Sequence, residues 1–116
     1  MFKNHAEMTR VVREKMRGGI GEVQMLEIFS AHEMRGKCRL FNEITLEPGC
    51  SIGTHPHDEE EEIYYVISGN GTVDDNGVLR DIGPGDALIT GGGESHSITN
   101  TGTKPLVFVA AILLFN

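Results

Sequence analysis

GCSIGTHPHDEEEEIYYVISG, residues 49–69, is the stretch on which the fold of this chain turns. His55 and His57 stand two residues apart, followed by four acidic side chains, then Glu62 and an apolar run ending at Gly69. In a β-strand, residues i and i+2 share a face about 6.6 Å apart. Two imidazoles so placed converge on one point, where a metal bonded at about 2.0–2.1 Å to each nitrogen would sit. Pro56 between them fixes φ and removes a backbone donor, which favours extended chain at an edge, rim or bulge. Glu62 opens the next strand-like run and is expected to bring a carboxylate from the neighbouring strand, about 4.8 Å away. An isolated H-x-H is common in exposed strands and turns, and Asp58, Glu59, Glu60 and Glu61 read for the most part as a solvated turn.

A second stretch, GDALITGGGESHSITN at residues 85–100, supplies what the first lacks. Residues 86–90 read as a strand and residues 91–95 as a glycine-rich turn, and His96 begins another strand. A third imidazole on a neighbouring strand is what a site of three histidines and one carboxylate requires.

Outward from these two stretches the chain is a series of short strand-like runs: residues 23–29, 37–46, 51–57, 62–68, 71–75, 78–82, 87–90, 96–100 and 106–114. Turn chemistry separates them, including Asn76-Gly77, the favoured dipeptide of a tight hairpin. Such spacing predicts an all-β antiparallel sandwich or barrel. Strands and helices do not alternate, so a doubly wound sheet is excluded. Gly69-x-Gly71 and Gly91-Gly92-Gly93 lack the strand–glycine–helix context of a nucleotide loop. Two domain segments are expected, an N-terminal arm over residues 1–21 and a β-domain over residues 22–116. In the arm, Met8, Val11, Val12 and Met16 would share one face of a helix, or the segment is extended and ends at Gly18-Gly19.

With 10 basic and 17 acidic residues the chain carries a net charge of −7. That balance offers no clustered Lys and Arg for nucleic acid and no basic amphipathic helix for a membrane surface. Residues 106–115 are apolar but too short to span a bilayer as a helix. The N-terminus shows no secretory pattern, so the expected location is cytoplasmic. Cys38 and Cys50 are the only cysteines and are expected to be free thiols packed as small hydrophobes.

The two histidine stretches resemble the motifs of the cupin superfamily. Gly49, His55, His57, Glu62 and Gly69 fit G(X)5HXH(X)3-4E(X)6G, with the four-residue spacing before Glu62. Gly85, Gly93, His96 and Asn100 fit G(X)5PXG(X)2H(X)3N, with Gly91 in place of the proline. The resemblance implies a small double-stranded β-helix, a jelly-roll-like antiparallel barrel. It also implies one divalent transition metal per chain (Mn, Fe, Ni, Co or Zn) held by His55, His57, Glu62 and His96. Gly91 is expected to loosen the turn before His96. Three neutral imidazoles and one carboxylate around a divalent ion leave a local charge of about +1, which favours an anionic ligand. An octahedral ion would keep positions open, whereas tetrahedral zinc would be filled by protein.

Activities of similar small cupins are implied only as a class: a metal-dependent enzyme acting on a small anionic or polyhydroxylated molecule, oxalate-decarboxylase-like, dioxygenase-like or sugar-isomerase-like. The alternative is a small-molecule binding or sensing module using the same pocket, and a third is a structural metal. Tyr64 shares a strand face with Glu62 and is either a proton donor lining the cavity or a core aromatic. A homodimer is also implied, and residues 106–115 are apolar on both faces as an extra covering layer would require. The N-terminal segment of the same chain is the other candidate cover.

Overall fold

The computed structural model describes residues 1–116 as ten antiparallel strands joined by short turns. They are β1 (Thr9–Glu14), β2 (Glu22–Phe29), β3 (Cys38–Leu46), β4 (Ser51–Pro56), β5 (Glu60–Ser68), β6 (Gly71–Asp75), β7 (Val78–Ile82), β8 (Ala87–Gly91), β9 (Ser95–Thr99) and β10 (Leu106–Leu114). A six-stranded sheet runs β1-β2-β3-β10-β5-β8 and packs on a four-stranded sheet, β4-β9-β6-β7. The strands form for the reason read from the sequence: apolar side chains alternate toward the interior, as in β10, where Leu106, Phe108, Ala110 and Ile112 are buried and the residues between them are half-buried.

This is the expected double-stranded β-helix, but it is not a closed barrel. The sheets are not hydrogen-bonded into one another. β4 ends at Pro56 and β8 at Gly91, and neither strand continues into the opposite sheet. The core lies between the sheets and is built by Val23, Leu46, Ile98, Leu106 and Phe108, all fully buried, around Tyr64. Each such side chain contributes about 1.5–3 kcal/mol relative to exposure.

The N-terminal segment is extended, not helical. β1 pairs with β2 from Thr9↔Glu27 to Glu14↔Glu22 at the edge of the six-stranded sheet. Val11 and Met16 reach the core, while Val12 faces solvent. Residues before β1 lead to the turn after β2, where Lys3 pairs with Glu33. β2 and β3 therefore separate this segment from β10, and it does not cover that strand's outer face.

Asn76 and Gly77 take the left-handed conformations that a type I′ hairpin demands. Gly91 has a different role from the loosening expected of it. It pairs with Glu61, and a Cβ there would lie 2.6 Å from the Glu60 carbonyl oxygen, so only glycine lets β8 approach β5. Asn100 is buried as a corner brace. Its amide donates to the carbonyls of Leu46 and Lys104, both at 2.8 Å, and its side-chain oxygen accepts from Gly102 N–H.

Candidate metal centre

β4 and β9 pair so that His55 and His96 are direct partners across the ladder. His57 follows β4 by one residue and turns inward again, with Pro56 exposed between the two buried imidazoles. Glu62 does not come from a neighbouring strand. β5 belongs to the six-stranded sheet, so its carboxylate reaches the imidazoles across the interior, from a position between Ile112 and Thr90. Face-to-face sheets stand about 10 Å apart, a gap that a glutamate and an imidazole span together.

The ligand atoms of His55, His57, Glu62 and His96 all lie within 4.8 Å of one another, and all four residues are buried. Nε2 of His96 is 3.1 Å from Nε2 of both His55 and His57. The outer nitrogens explain this inward convergence. His55 Nδ1 donates to the Gly53 carbonyl at 2.7 Å, and His57 Nδ1 donates to Glu60 Oε2. A carbonyl and a carboxylate only accept, so each Nδ1 carries the proton and each Nε2 presents a lone pair. His96 Nδ1 is hydrogen-bonded to Thr90 Oγ1 at 2.9 Å, a hydroxyl able to donate or accept.

Glu62 Oε1 stands 2.9 Å from His57 Nε2, 3.0 Å from His96 Nε2 and 3.9 Å from His55 Nε2. Although the approach is close, no N–H points at that oxygen, which is buried and without a hydrogen-bond partner. Imidazole nitrogens and a carboxylate oxygen crowded together in a dry interior need a positive charge among them, a shared proton in the metal-free chain or a metal cation. A metal cation fits this donor set, and the four residues could hold one.

The same crowding shifts the protonation equilibria of the metal-free site. Burial pushes the Glu62 pKa up, but the three imidazoles outweigh it and hold the carboxylate well below its usual range. The Glu62 carboxylate raises His57 above its ordinary value against the effect of burial, and Glu60 adds to the rise. Burial lowers His96, opposed by Glu62. Tyr64 is fully buried, stacks on the His96 ring and sets its hydroxyl 3.4 Å from His96 Nε2. Burial first, and then the charge of Glu62, hold its phenol well above the ordinary value. Tyr64 is thus a core aromatic packed against Phe108, with its hydroxyl beside the cluster.

A cavity of about 60 Å³ opens beside the cluster, lined by His55, His57, Glu62, Tyr64 and an apolar wall that includes Ile44, Ile52 and Ile112. Met16, Arg17, Met25, Arg39 and Leu40 line both this cavity and a vestibule of about 730 Å³ outside it. Glu60 is the participant that sequence reasoning passed over. It is half-buried, bonded to His57 and held by both nitrogens of the Arg39 fork at 2.8 and 2.9 Å. Its signal was its position three residues after His57, masked by the acidic side chains on either side. Thr90 carried no such signal, because only the pairing of β5 with β8 brings it to His96. His5, bonded to Arg10, and the exposed His32 stand apart from the site. Cys38 and Cys50 are free thiols.

Strand order and an inward His–His–Glu–His cluster together point to one class, and the chain belongs to the cupin family. The sequence model of the Cupin domain matches residues 42–112. The chain is 46% identical over 114 residues to the oxalate-binding protein of Thermotoga maritima, with 98% of this chain and 94% of that protein covered. It is similar to a crystal structure of a predicted oxalate decarboxylase from Thermotoga maritima, with a TM-score of 0.93 and 46% identity over 98% of this chain and 99% of that one. The polyketide cyclase RemF of Streptomyces resistomycificus shares the fold at a TM-score of 0.77 and 20% identity, covering 100% of this chain and 81% of that one. No helix is long and apolar enough to cross a membrane.

Proposed function

We propose that the chain binds one divalent transition-metal ion through His55, His57, Glu62 and His96 and presents it to a small carboxylate of oxalate size. The observation that carries this reading is Glu62 Oε1, buried among three Nε2 atoms with no N–H pointing at it. A divalent ion held there supplies a Lewis-acid charge that attracts an anion. The inner cavity supports a small acid over a sugar, since about 60 Å³ holds only a few waters. Oxalate has that size, and the similar Thermotoga maritima protein is named for binding it.

Metal-dependent turnover of the bound acid is the fuller form of this reading. Tyr64 supports it, because its phenol stays protonated at neutral pH and stands at the site as a hydrogen-bond donor. Capture without turnover is supported by the rest of the wall. Met25, Leu40, Ile44, Ile52 and Ile112 bring no acid or base, and Glu60 is tied to Arg39 and His57.

Titrating metal-free protein with Mn, Fe, Co, Ni and Zn salts should show binding near one equivalent. His96→Ala should weaken it by more than the roughly 100-fold that loss of an outer partner costs. Oxalate should then perturb the visible spectrum of the cobalt form, and its disappearance over time separates turnover from capture. Tight metal binding with no response to any small acid would leave a structural ion and overturn the proposal.

A further inference from the structure

The entrance to the site carries a cation that nothing else in the fold engages. Besides the imidazoles, the inner cavity is lined by two positively charged side chains, Arg17 and Arg39. Arg39 is committed to Glu60. Arg17 makes no ion pair and no side-chain hydrogen bond, although Glu14 and Glu27 line the same vestibule. In a chain of net charge −7 the long-range field opposes an incoming anion, so an unpaired guanidinium at the mouth is what would offset it locally.

The backbone holds Arg17 at this place. The turn from Lys15 to Gly21 puts two non-glycine residues, Lys15 (φ 50) and Arg17 (φ 56), in the left-handed region. It is clamped to β4, the strand of His55, by Ser51 N–H donating to the Ile20 carbonyl and Ile20 N–H donating to Ser51 Oγ, both at 2.8 Å. A Cβ at Gly53 would collide with the Arg17 carbonyl, so the turn lies directly on the strand that delivers the histidine. Sparsely populated backbone held by its surroundings in this way is concentrated at ligand clamps. The positive charge of Arg17 is also felt at the Tyr64 hydroxyl, where it opposes the upward shift.

We infer that Arg17 is a specificity-determining residue for a ligand with two acidic ends, its guanidinium taking the end remote from the His55–His57–Glu62–His96 cluster. This inference rests on the small-carboxylate reading of the site. Between the two charged ends the cavity is apolar, so a second carboxylate entering without Arg17 would be desolvated and unpaired. A monocarboxylate satisfies the cluster and lays its uncharged end on that wall, where Arg17 has no carboxylate to bond and contributes only a solvent-screened charge. Guanidinium rather than ammonium fits the role, because its fork matches a carboxylate with two parallel hydrogen bonds.

Oxalate and acetate test this directly, since they differ by a carboxylate in place of a methyl group. Wild type, Arg17→Gln, Arg17→Lys and the vestibule control Arg13→Gln are loaded with cobalt and titrated with each acid by calorimetry and visible absorption. Arg17→Gln should lower oxalate affinity about ten- to a hundredfold and leave cobalt and acetate binding within about twofold. Arg17→Lys should fall between, and Arg13→Gln should match wild type. Unchanged oxalate binding in Arg17→Gln, or an equal loss for acetate, would overturn the inference while leaving the small-carboxylate reading intact. Wild-type protein that takes cobalt but neither acid would overturn that reading, and this inference with it.

Discussion

Replacing Glu60 with glutamine tests whether the outer partner of a histidine governs the site. The carboxylate accepts from His57 Nδ1 and is gripped by Arg39 through two bonds. Glutamine keeps nearly the same shape but removes a charge that adds to the rise in His57 basicity made chiefly by Glu62, and its amide nitrogen has only donors to meet on the Arg39 side. Loss of such a partner costs about 10–100-fold in metal affinity, or roughly 1.4–2.7 kcal/mol. The fold should lose far less. Arg39 is substantially exposed, and ion pairs of that kind contribute about 0.2–1 kcal/mol, a few degrees in Tm at this size. Competitive cobalt titration at neutral pH gives the affinity, and thermal unfolding in chelator gives the stability of the metal-free chain. Arg39→Gln, which spares the bond to His57, should lose less than tenfold. Wild-type metal affinity in Glu60→Gln would refute the reasoning, and so would a collapse of the metal-free Tm large enough to explain the loss by unfolding.

Other expectations follow from the same structure. In metal-free protein, His57 has a raised pKa, so the stability it contributes is present below the unfolded value of about 6.5 and is lost as pH rises through its folded value. His96 is lowered and Glu62 and Glu60 are depressed, so their contributions are lost as pH falls. The metal-free Tm should therefore peak near pH 6.5, whereas the metal-loaded Tm should keep rising above it because metal displaces protons; parallel profiles would contradict this. Phe108→Ala, at a fully buried position against Tyr64, should cost about 3–5 kcal/mol in urea unfolding; less than about 1 kcal/mol would mean that the core is looser than described. Light scattering should give a dimer of the 12.7 kDa chain, assembled on the outer face of the six-stranded sheet where Tyr65, Ile67 and Ile89 are exposed. Ile89→Lys should shift it to monomer, and a wild-type mass near 12.7 kDa would reject the dimer.

Much of the site was legible because its chemistry repeats at short range. The two-residue period of a strand puts His55 and His57 on one face with Pro56 outside, whatever that strand later pairs with, and His96 declared itself by spacing in its own motif. Strand positions from β2 onward were equally plain, since apolar alternation between turn residues needs no tertiary information, whereas β1, exposed along most of its length, could not be told from a helix. The sheet to which each strand belongs did need it. Glu62 was expected beside the histidines but reaches them from the opposite sheet, because pairing partners are chosen by the whole topology and not by adjacency along the chain. Closure into a barrel failed for a related reason, as hydrogen bonding at sheet edges depends on where each strand stops. Gly91 showed the same limit, departing from its motif because of what β5 puts against it. Glu60, Thr90 and the Gly53 carbonyl were silent in sequence, since a side chain or carbonyl that orients an imidazole has no pattern of its own. Residue order alone was enough for the strands from β2 onward, for their inward faces and for the four side chains that converge. Which nitrogen of each ring is held on its outer side required the fold, because the partners are a carbonyl of β4, a carboxylate of β5 and a hydroxyl of β8.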